Sequence, residues 1–197
     1  MQSFIVQLMS EHRFIEQLLA ALGAHAGAGE PERAATAEFA DYFRHYADAI
    51  HHGKEEVMLF REMERAGFQR DSGPLAVMLF EHGQGREAVA ALAGLAKGSG
   101  GYAIADLARL REICDDFSQT LQNHIVKEDR VLYPLAMKKL PEAVLAGLEL
   151  ESRIFDDNTR ASGALARYQR LGSDLIIAHP VKCATVANWA CNAFCQV

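Results

Sequence analysis

The chain has 197 residues, of which 50% are hydrophobic and 23% are charged, and its formal net charge at pH 7 is -6. This length fits one domain with a sizeable core, and the composition excludes a disordered or fibrous protein. The acidic balance, without clustered Lys and Arg, argues against nucleic acid as a partner. The first residues lack the basic start and the cleavage site of a secretory leader. No stretch approaches the roughly 20 apolar residues that cross a bilayer, so we expect a cytoplasmic protein with no membrane partner.

Helical periodicity dominates the chain, and the apolar/polar alternation typical of strands is nearly absent. Segments rich in glycine or proline, such as GSGG at 98–101, separate the periodic stretches. The predicted helices run from about Ser3 to Gly23, Pro31 to Arg65, Pro74 to Lys97, Ala103 to Lys139 and Pro141 to near Tyr168. Four long helices with short connections favour an all-α, antiparallel up-down-up-down four-helix bundle, whose core commonly holds a metal or cofactor.

The C-terminal part of the chain is predicted to lie outside this bundle. We assign residues 1–140 to the bundle, 141–170 to an accessory C-terminal helix, and 171–197 to an irregular tail of unknown role. The tail holds one tryptophan and three of the four cysteines, and the cysteines lack the paired CxxC spacing typical of a zinc site. They are Cys114, Cys183, Cys191 and Cys195, with Trp189 beside them. We interpret the thiols as structural or incidental.

Each of the four long helices places one histidine on the face that it must bury, at about 100° of rotation per residue. These residues are His12, His51, His82 and His124. In the fourth helix, Glu128 follows its histidine by one turn and shares the same apolar stripe. A carboxylate on the core stripe of a bundle is costly unless a cation pairs with it. This HxxxE pair is therefore the strongest sign of a metal site in the sequence.

The second helix offers two overlapping HxxxE pairs within the sequence HHGKEE. His51 and Glu55 border the predicted apolar stripe, whereas His52 and Glu56 point away from it. The sequence therefore favours His51 and Glu55 as ligands.

Six inward imidazoles and carboxylates can hold a pair of cations. A His and a Glu at i and i+4 lie on adjacent turns of one face and can reach a common centre. A single such histidine is more often an ordinary core residue, but six buried titratable groups would lack compensation without a cation. Imidazole and carboxylate ligands suit iron or manganese, with zinc as an alternative. Two ions, each with two imidazoles and two shared carboxylates, would take a bridging oxo or hydroxo group and keep a position open for a small ligand.

The pattern resembles the hemerythrin-like family, also called the HHE cation-binding domain, over about residues 3 to 140. The matching segments are EHRFIEQLL, HHGKEEVMLF, FEHGQGR and HIVKEDRVLYP, in the family's order and spacing. The resemblance implies a four-helix bundle around a non-heme di-iron centre. It also implies the ligands His12, His51, Glu55, His82, His124 and Glu128.

One position departs from the oxygen-carrying members of that family. They carry HxxxH in the third helix, whereas Arg86 stands at the second position here, and an arginine cannot ligate a cation. The loss of that imidazole puts reversible oxygen carriage in doubt, because it helps to make the carrier site asymmetric. Arg86 is predicted either to support a bridging glutamate or bound peroxide, or to form an ordinary salt bridge. Glu16 and Tyr46 are weaker candidates for supporting the ligands.

The sequence thus predicts a di-iron protein that binds or processes dioxygen, peroxide or nitric oxide. The alternative from another class is a regulatory module in which iron or oxygen binding controls contact with a protein partner that the sequence does not identify. This regulatory alternative is based on the unexplained tail, since metal binding is coupled to folding. A purely structural metal site is the third hypothesis.

Overall fold

The computed structural model describes residues 3–181, which form six helices and no strand. We number them α1 to α6. The first is α1, Phe4–Ala26; α2 spans 33–65, α3 is Gly73–Leu95, α4 spans 104–139, α5 is Glu142–Ala161 and α6 is Ala164–Ala178. None of the described helices is long and apolar enough to cross a membrane. The predicted all-α fold is confirmed.

Local sequence signals explain where these helices begin and end. The Ser3 side chain accepts a hydrogen bond from the backbone N–H of Val6 and caps α1. Pro74 lies in the first turn of α3, where its missing N–H is not needed. Gly163, with φ of 78°, adopts the left-handed conformation that separates α5 from α6.

The two long helices α2 and α4 contain π-helical turns. Helix α2 is made of Arg33–Tyr42, the π segments Phe43–His52 and Glu55–Leu59, and Phe60–Arg65, joined through residues 53 and 54. Helix α4 is made of Ile104–Lys127, the π segment Glu128–Leu132 and Tyr133–Lys139. In each π segment a backbone N–H donates to the carbonyl five residues earlier, so one turn holds more residues than an α-helical turn.

Two apolar clusters fill the bundle, one on each side of the buried histidines. Along α1 the cluster that contains Leu8 comes first and the cluster that contains Leu19 comes second. Along α2 the order is reversed, and it reverses again in α3 and in α4. This alternation means that neighbouring helices run in opposite directions, as the short connections predict. Each of the helices α1 to α4 therefore passes once through the layer of buried histidines between the two clusters.

The C-terminal helices differ from the single accessory helix that the sequence predicts. A Ser-Gly pair at 162–163 breaks the predicted helix into the hairpin of α5 and α6. Helix α6 then continues to Ala178, past the predicted tail boundary at residue 170. The hairpin packs against α1 and α2. The three C-terminal cysteines and Trp189 lie outside the described residues.

Candidate metal centre

Seven buried side chains from α1 to α4 converge between the two apolar clusters. They form two overlapping groups, and within each group one ligand atom per residue lies within 4.8 Å of all the others. The three-histidine group contains His52, Glu55, His82 and His124. The two-histidine group contains His12, His51, Glu55 and Glu128. Glu55 belongs to both groups, so the two sites adjoin.

In the three-histidine group the imidazoles come from three different helices. The His82 and His124 Nε2 atoms lie 3.1 Å apart, and the His52 ring stacks on the His82 ring at 3.8 Å between centroids. Glu55 Oε2 lies 3.4 Å from His82 Nε2, and Glu128 Oε1 lies 3.1 Å from His124 Nε2. All five side chains are buried. Three ring nitrogens and two carboxylates therefore face one small space.

In the two-histidine group the same two carboxylates meet the rings of α1 and α2. Glu128 Oε2 lies 3.2 Å from His12 Nε2, and Glu55 Oε2 lies 3.8 Å from His51 Nε2. The Tyr133 hydroxyl donates to Glu55 Oε1 at 2.6 Å and lies 3.3 Å from His12 Nε2. Glu55 and Glu128 thus lie between the two groups, as bridging carboxylates do.

All five histidines turn the same nitrogen outward, and each Nδ1 lies at hydrogen-bonding distance from a carboxylate oxygen. The five pairs are His12–Asp129 at 2.7 Å, His51–Glu11 at 2.9 Å, His52–Asp48 at 3.3 Å, His82–Glu56 at 2.7 Å and His124–Glu81 at 2.9 Å. A carboxylate that accepts the Nδ1–H fixes the tautomer and leaves Nε2 free to bind a cation. Metal-ligating histidines almost always have such a partner.

Basic side chains hold these outer carboxylates in turn. Arg86 alone contacts two of them, Asp48 at 2.8 Å and Glu56 at 2.6 Å. The other pairs are Arg13 with Asp129, Lys54 with Glu11, and Lys127 with Glu81. Each histidine ring is therefore held by an outer carboxylate, and each of these carboxylates is held in turn by a basic side chain.

Several buried polar atoms of the site lack hydrogen-bond partners among the described residues. They are both carboxylate oxygens of Glu128, Oε2 of Glu55 and Nε2 of His51. A buried unsatisfied polar atom is rare because its desolvation costs about 1–3 kcal/mol, and more when it is charged. These orphaned atoms all point into the space between the groups. The residues present therefore fit a pair of cations.

The carboxylates perturb the histidines strongly when protons take the place of a metal. Burial opposes a charge on His12, but its hydrogen bond to Asp129 and the nearby negative charge of Glu128 raise its pKa to about 10. Burial likewise opposes a charge on His82, yet the nearby carboxylates of Glu128 and Glu55 and a hydrogen bond to Glu56 raise its pKa well above the usual value. Burial and the neighbouring His82 lower the pKa of His52 to about 3. His52 is thus neutral at pH 7, in the form that binds metals.

The structure brings all six sequence-predicted ligands into this centre. His52 is the residue that the sequence interpretation missed, because it assumed 100° of rotation per residue. Residues Phe43–His52 are π-helical, and the smaller rotation per residue brings both His51 and His52 to the buried side. The interpretation that His52 points away from the core is therefore wrong. The pair of adjacent histidines at 51 and 52 was the sequence signal that could have revealed this ligand.

The candidate supporting residues have different outcomes. Arg86 forms salt bridges to Asp48 and Glu56, as the salt-bridge alternative predicted, and it contacts neither of the two shared glutamates. Glu16 pairs with Arg13 at 3.3 Å and belongs to neither group. Tyr46 stacks on Tyr42, meets Phe14 edge to face and packs in the apolar core.

A π turn brings Tyr133 to the side chains of this centre. Its backbone N–H donates to the carbonyl of Glu128, five residues earlier, so the π turn returns the side chain to the face of that glutamate. The ring is completely buried and lies parallel to the His12 ring at 5.5 Å. Its hydroxyl reaches Glu55.

A cavity of about 70 Å³ borders the three-histidine group. Its walls include His52, His82 and His124, together with Phe117 and Gly85. Organic ligands usually need pockets of about 300–1,000 Å³. This space therefore admits only a molecule of a few atoms.

The sequence profile of the hemerythrin HHE cation-binding domain matches residues 3–136, which cover α1 to α3 and most of α4. No curated protein and no solved structure matched the chain in the corresponding comparisons. The matched segment contains all seven residues of the two groups. The chain belongs to the hemerythrin HHE cation-binding domain family.

Proposed function

We propose that the protein holds two iron ions and binds or processes a small oxygen or nitrogen species, namely dioxygen, peroxide or nitric oxide. His52, His82 and His124 would hold one ion, His12 and His51 the other, and Glu55 and Glu128 would bridge them. The single observation that carries this proposal is the set of orphaned Nε2 and carboxylate atoms aimed at a common space. Imidazole and carboxylate suit iron, with manganese and zinc as alternatives.

Iron held by these residues would supply a redox-active position for a small ligand. The chain's own contribution is to present neutral Nε2 atoms, to hold their rings by the outer carboxylates, and to limit access. The cavity beside the three-histidine group supports a ligand no larger than a diatomic molecule or peroxide. Apolar Phe43, Val89 and Leu121 among its lining residues disfavour water there.

The third imidazole bears on the choice among small ligands. The arginine at position 86 raised doubt about oxygen carriage because it removes one imidazole from α3. His52 on α2 supplies an imidazole to the same group, so an asymmetric arrangement of three and two histidines is retained. Dioxygen therefore stays among the proposed ligands, beside peroxide and nitric oxide.

Metal analysis of the purified protein from iron-fed cells tests the proposal. We expect two iron ions per chain, an absorption band from the oxo bridge, and spectral changes on adding dioxygen, peroxide or nitric oxide to the reduced form. Replacing His124 or Glu128 by alanine should abolish stoichiometric binding. Full iron content and an unchanged band in both variants would refute it, and a loaded protein inert to all three ligands would favour a structural site.

The regulatory alternative stays a prediction. Its motive, the segment with Trp189 and three cysteines, lies outside the described residues. Limited proteolysis of this segment with and without iron tests it. A cleavage pattern that changes with iron would support a metal-controlled switch, and identical patterns would argue against it.

A further inference from the structure

A completely buried lysine lies directly behind the two-histidine group. The Lys54 side chain on α2 is 1% exposed. Its ammonium group contacts a Glu11 carboxylate oxygen and lies 3.3 Å from Asp156 Oδ1 on α5. A buried ammonium is costly unless it is paired and hydrogen-bonded. Lys54 therefore depends on one carboxylate from the bundle and one from the C-terminal hairpin.

The same Glu11 carboxylate supports a candidate metal ligand. Its Oε2 accepts a hydrogen bond from His51 Nδ1 at 2.9 Å, while its Oε1 contacts Lys54. The order of contacts is therefore His51, Glu11, Lys54, Asp156. Asp156 is 102 residues from Lys54 in sequence, so only the packing of α5 against the bundle completes this chain.

Asp156 is itself held in place. Gln7 on α1 donates to Asp156 Oδ2 at 2.6 Å and to Glu11 Oε1 at 3.1 Å. The Ser152 hydroxyl donates to the Gln7 side-chain carbonyl at 3.3 Å, which orients the amide. The carboxylate of Asp156 is buried among these partners. Such fixed contacts give the chain of four residues one geometry.

We propose that Asp156 is a positioning residue for the metal centre, acting on His51 through Lys54 and Glu11. With both carboxylates present, the charges behind His51 sum to one negative unit, which favours a cation bound at Nε2. If Asp156 were neutral, Lys54 would rely on Glu11 alone. Glu11 would then accept the His51 N–H less strongly, and the imidazole would be a poorer ligand. This inference rests on the proposed pair of ions.

The proposal makes the hairpin part of the metal centre. The family profile ends at residue 136, whereas Asp156 lies on α5. The helices beyond the matched segment thus supply one member of the ligand's support.

The test compares Asp156→Asn with Asp157→Asn as a matched control. Asp157 neighbours it on α5, but its side chain is 74% exposed and pairs only locally, with Arg160. Anaerobic Co²⁺ titration of the full chain measures the affinity of each ion. We expect Asp156→Asn to weaken one of the two ions about tenfold, the lower end of the range for outer partners of metal ligands. Asp157→Asn should match the wild type, and Asp156→Glu should recover part of the loss.

A second measurement separates positioning from folding. In the Co²⁺-loaded protein, NMR detects the exchangeable Nδ1–H protons of bound histidines. We expect one such signal to exchange faster in Asp156→Asn, with the other histidine signals unchanged. If that variant does not fold, Gln7→Ala replaces it, since this change frees Asp156 and Glu11 without altering a charge, and it should weaken the same ion.

The outcomes distinguish the inference from the function on which it rests. A wild-type protein that binds no pair of ions would end the proposed function. A wild type that binds two ions, with equal affinities in Asp156→Asn and Asp157→Asn, would overturn only the role of Asp156. Equal weakening of both ions, together with a lower unfolding temperature of the metal-free protein, would also overturn it, because it would indicate general structural damage.

Discussion

The two halves of the centre are built from the same kinds of residue but have different surroundings. The three-histidine group borders a cavity, and Arg86, whose side chain is 44% exposed, holds two of its outer carboxylates. Around the two-histidine group, buried Tyr133 covers Glu55, and buried Lys54 ties the support of His51 to α5. One half faces a space that a ligand can enter, whereas the other is enclosed by protein.

This contrast indicates a division of labour within one site. If the proposed function holds, we expect ligand access beside the three imidazoles, where the cavity lies, whereas Tyr133 of the enclosed half fixes the shared Glu55. Charge states differ among single histidines and not between the halves: burial and His82 lower the pKa of His52 to about 3, whereas the pKa of His82 in the same group is raised well above its usual value. Burial disfavours a charge on His12 as well, but its carboxylate partners raise its pKa to about 10.

Of the changes considered below, replacing His52 by alanine should have the largest effect on metal content. It removes an imidazole from the accessible half, the three-histidine group, and leaves the enclosed half, the two-histidine group, unchanged. We expect the metal content to fall by one ion per chain, with the ion of the enclosed half retained. Metal analysis after dialysis measures this. His45→Ala on the same helix is the control, since His45 is 43% exposed and pairs with Asp41. Two ions retained in His52→Ala would remove this residue from the site.

Metal affinity should rise steeply with pH. The pKa of His12 is raised to about 10, so the metal-free protein is protonated there at pH 7. A histidine must be neutral to bind a cation, and each proton released on binding gives about a tenfold gain in affinity per pH unit. The sign for the metal-free fold is opposite: its stabilisation by charged His12 is complete below the unfolded value of about 6.5 and is lost as pH rises towards 10. Calorimetry in buffers of different ionisation enthalpy counts the protons, and none released would contradict this.

Replacing Arg86 by glutamine should weaken the accessible half by about 10–100-fold, the range for partners of metal ligands. This one change frees both Asp48 and Glu56 and so loosens the rings of His52 and His82. Competitive chelator titration measures it. The control is Arg109→Gln, whose exposed side chain pairs within its own helix. Weaker metal binding at the two-histidine group alone would contradict this prediction.

Enlarging Gly85 tests the entry route without touching a ligand. Gly85 lines the cavity, and a Cβ there would lie 3.8 Å from Phe117 Cε2, an ordinary contact, so we expect a leucine at this position to narrow the cavity. Gly85→Leu should slow ligand binding, measured by stopped-flow mixing with nitric oxide, at unchanged iron content. Gly83→Leu on the same helix is the control, because its Cβ would meet open space. Equal rates in the two variants would place the entry route elsewhere.

Tyr133→Phe should have the smallest effect on metal binding. It should nevertheless lower the unfolding free energy of the metal-free protein by a measurable amount. Glu55 Oε1 loses its hydrogen bond from the hydroxyl, which costs about 1–3 kcal/mol of unfolding free energy for a buried group. Urea denaturation measures this. Tyr42→Phe is the control, because its buried hydroxyl has no hydrogen-bond partner among residues 3–181. Equal stability of the two variants would show that the contact to Glu55 contributes nothing.

Much of the bundle follows from the sequence because its signals are local. Apolar periodicity predicts the four long helices, and HxxxE spacing predicts that His124 and Glu128 lie on one face. His52 was not predicted, since periodicity assumes α-helical rotation and cannot report a π segment. The break at Gly163 had a signal, the Ser-Gly pair, but the accessory region was predicted as one helix.

The outer carboxylates show a limit of another kind. Glu11 precedes His12 and Glu81 precedes His82, yet Glu11 bonds to His51 and Glu81 bonds to His124. Each acidic residue thus supports a histidine of another helix. Sequence places the acid beside a histidine, but only the packing of helices selects its partner. Asp156 is the extreme case, because no local pattern links α5 to Lys54.

The π-helical segment of α2 makes the centre sensitive to chain length as well as to side-chain identity. Its wide turn accommodates a residue that a regular turn would not. Deleting one residue between 43 and 50 would let the backbone return to α-helical hydrogen bonding. The rings of His51 and His52 would then no longer face the two neighbouring ions of the proposed centre. A shortened α2 would keep every ligand in its sequence and lose the ability to hold both ions at once.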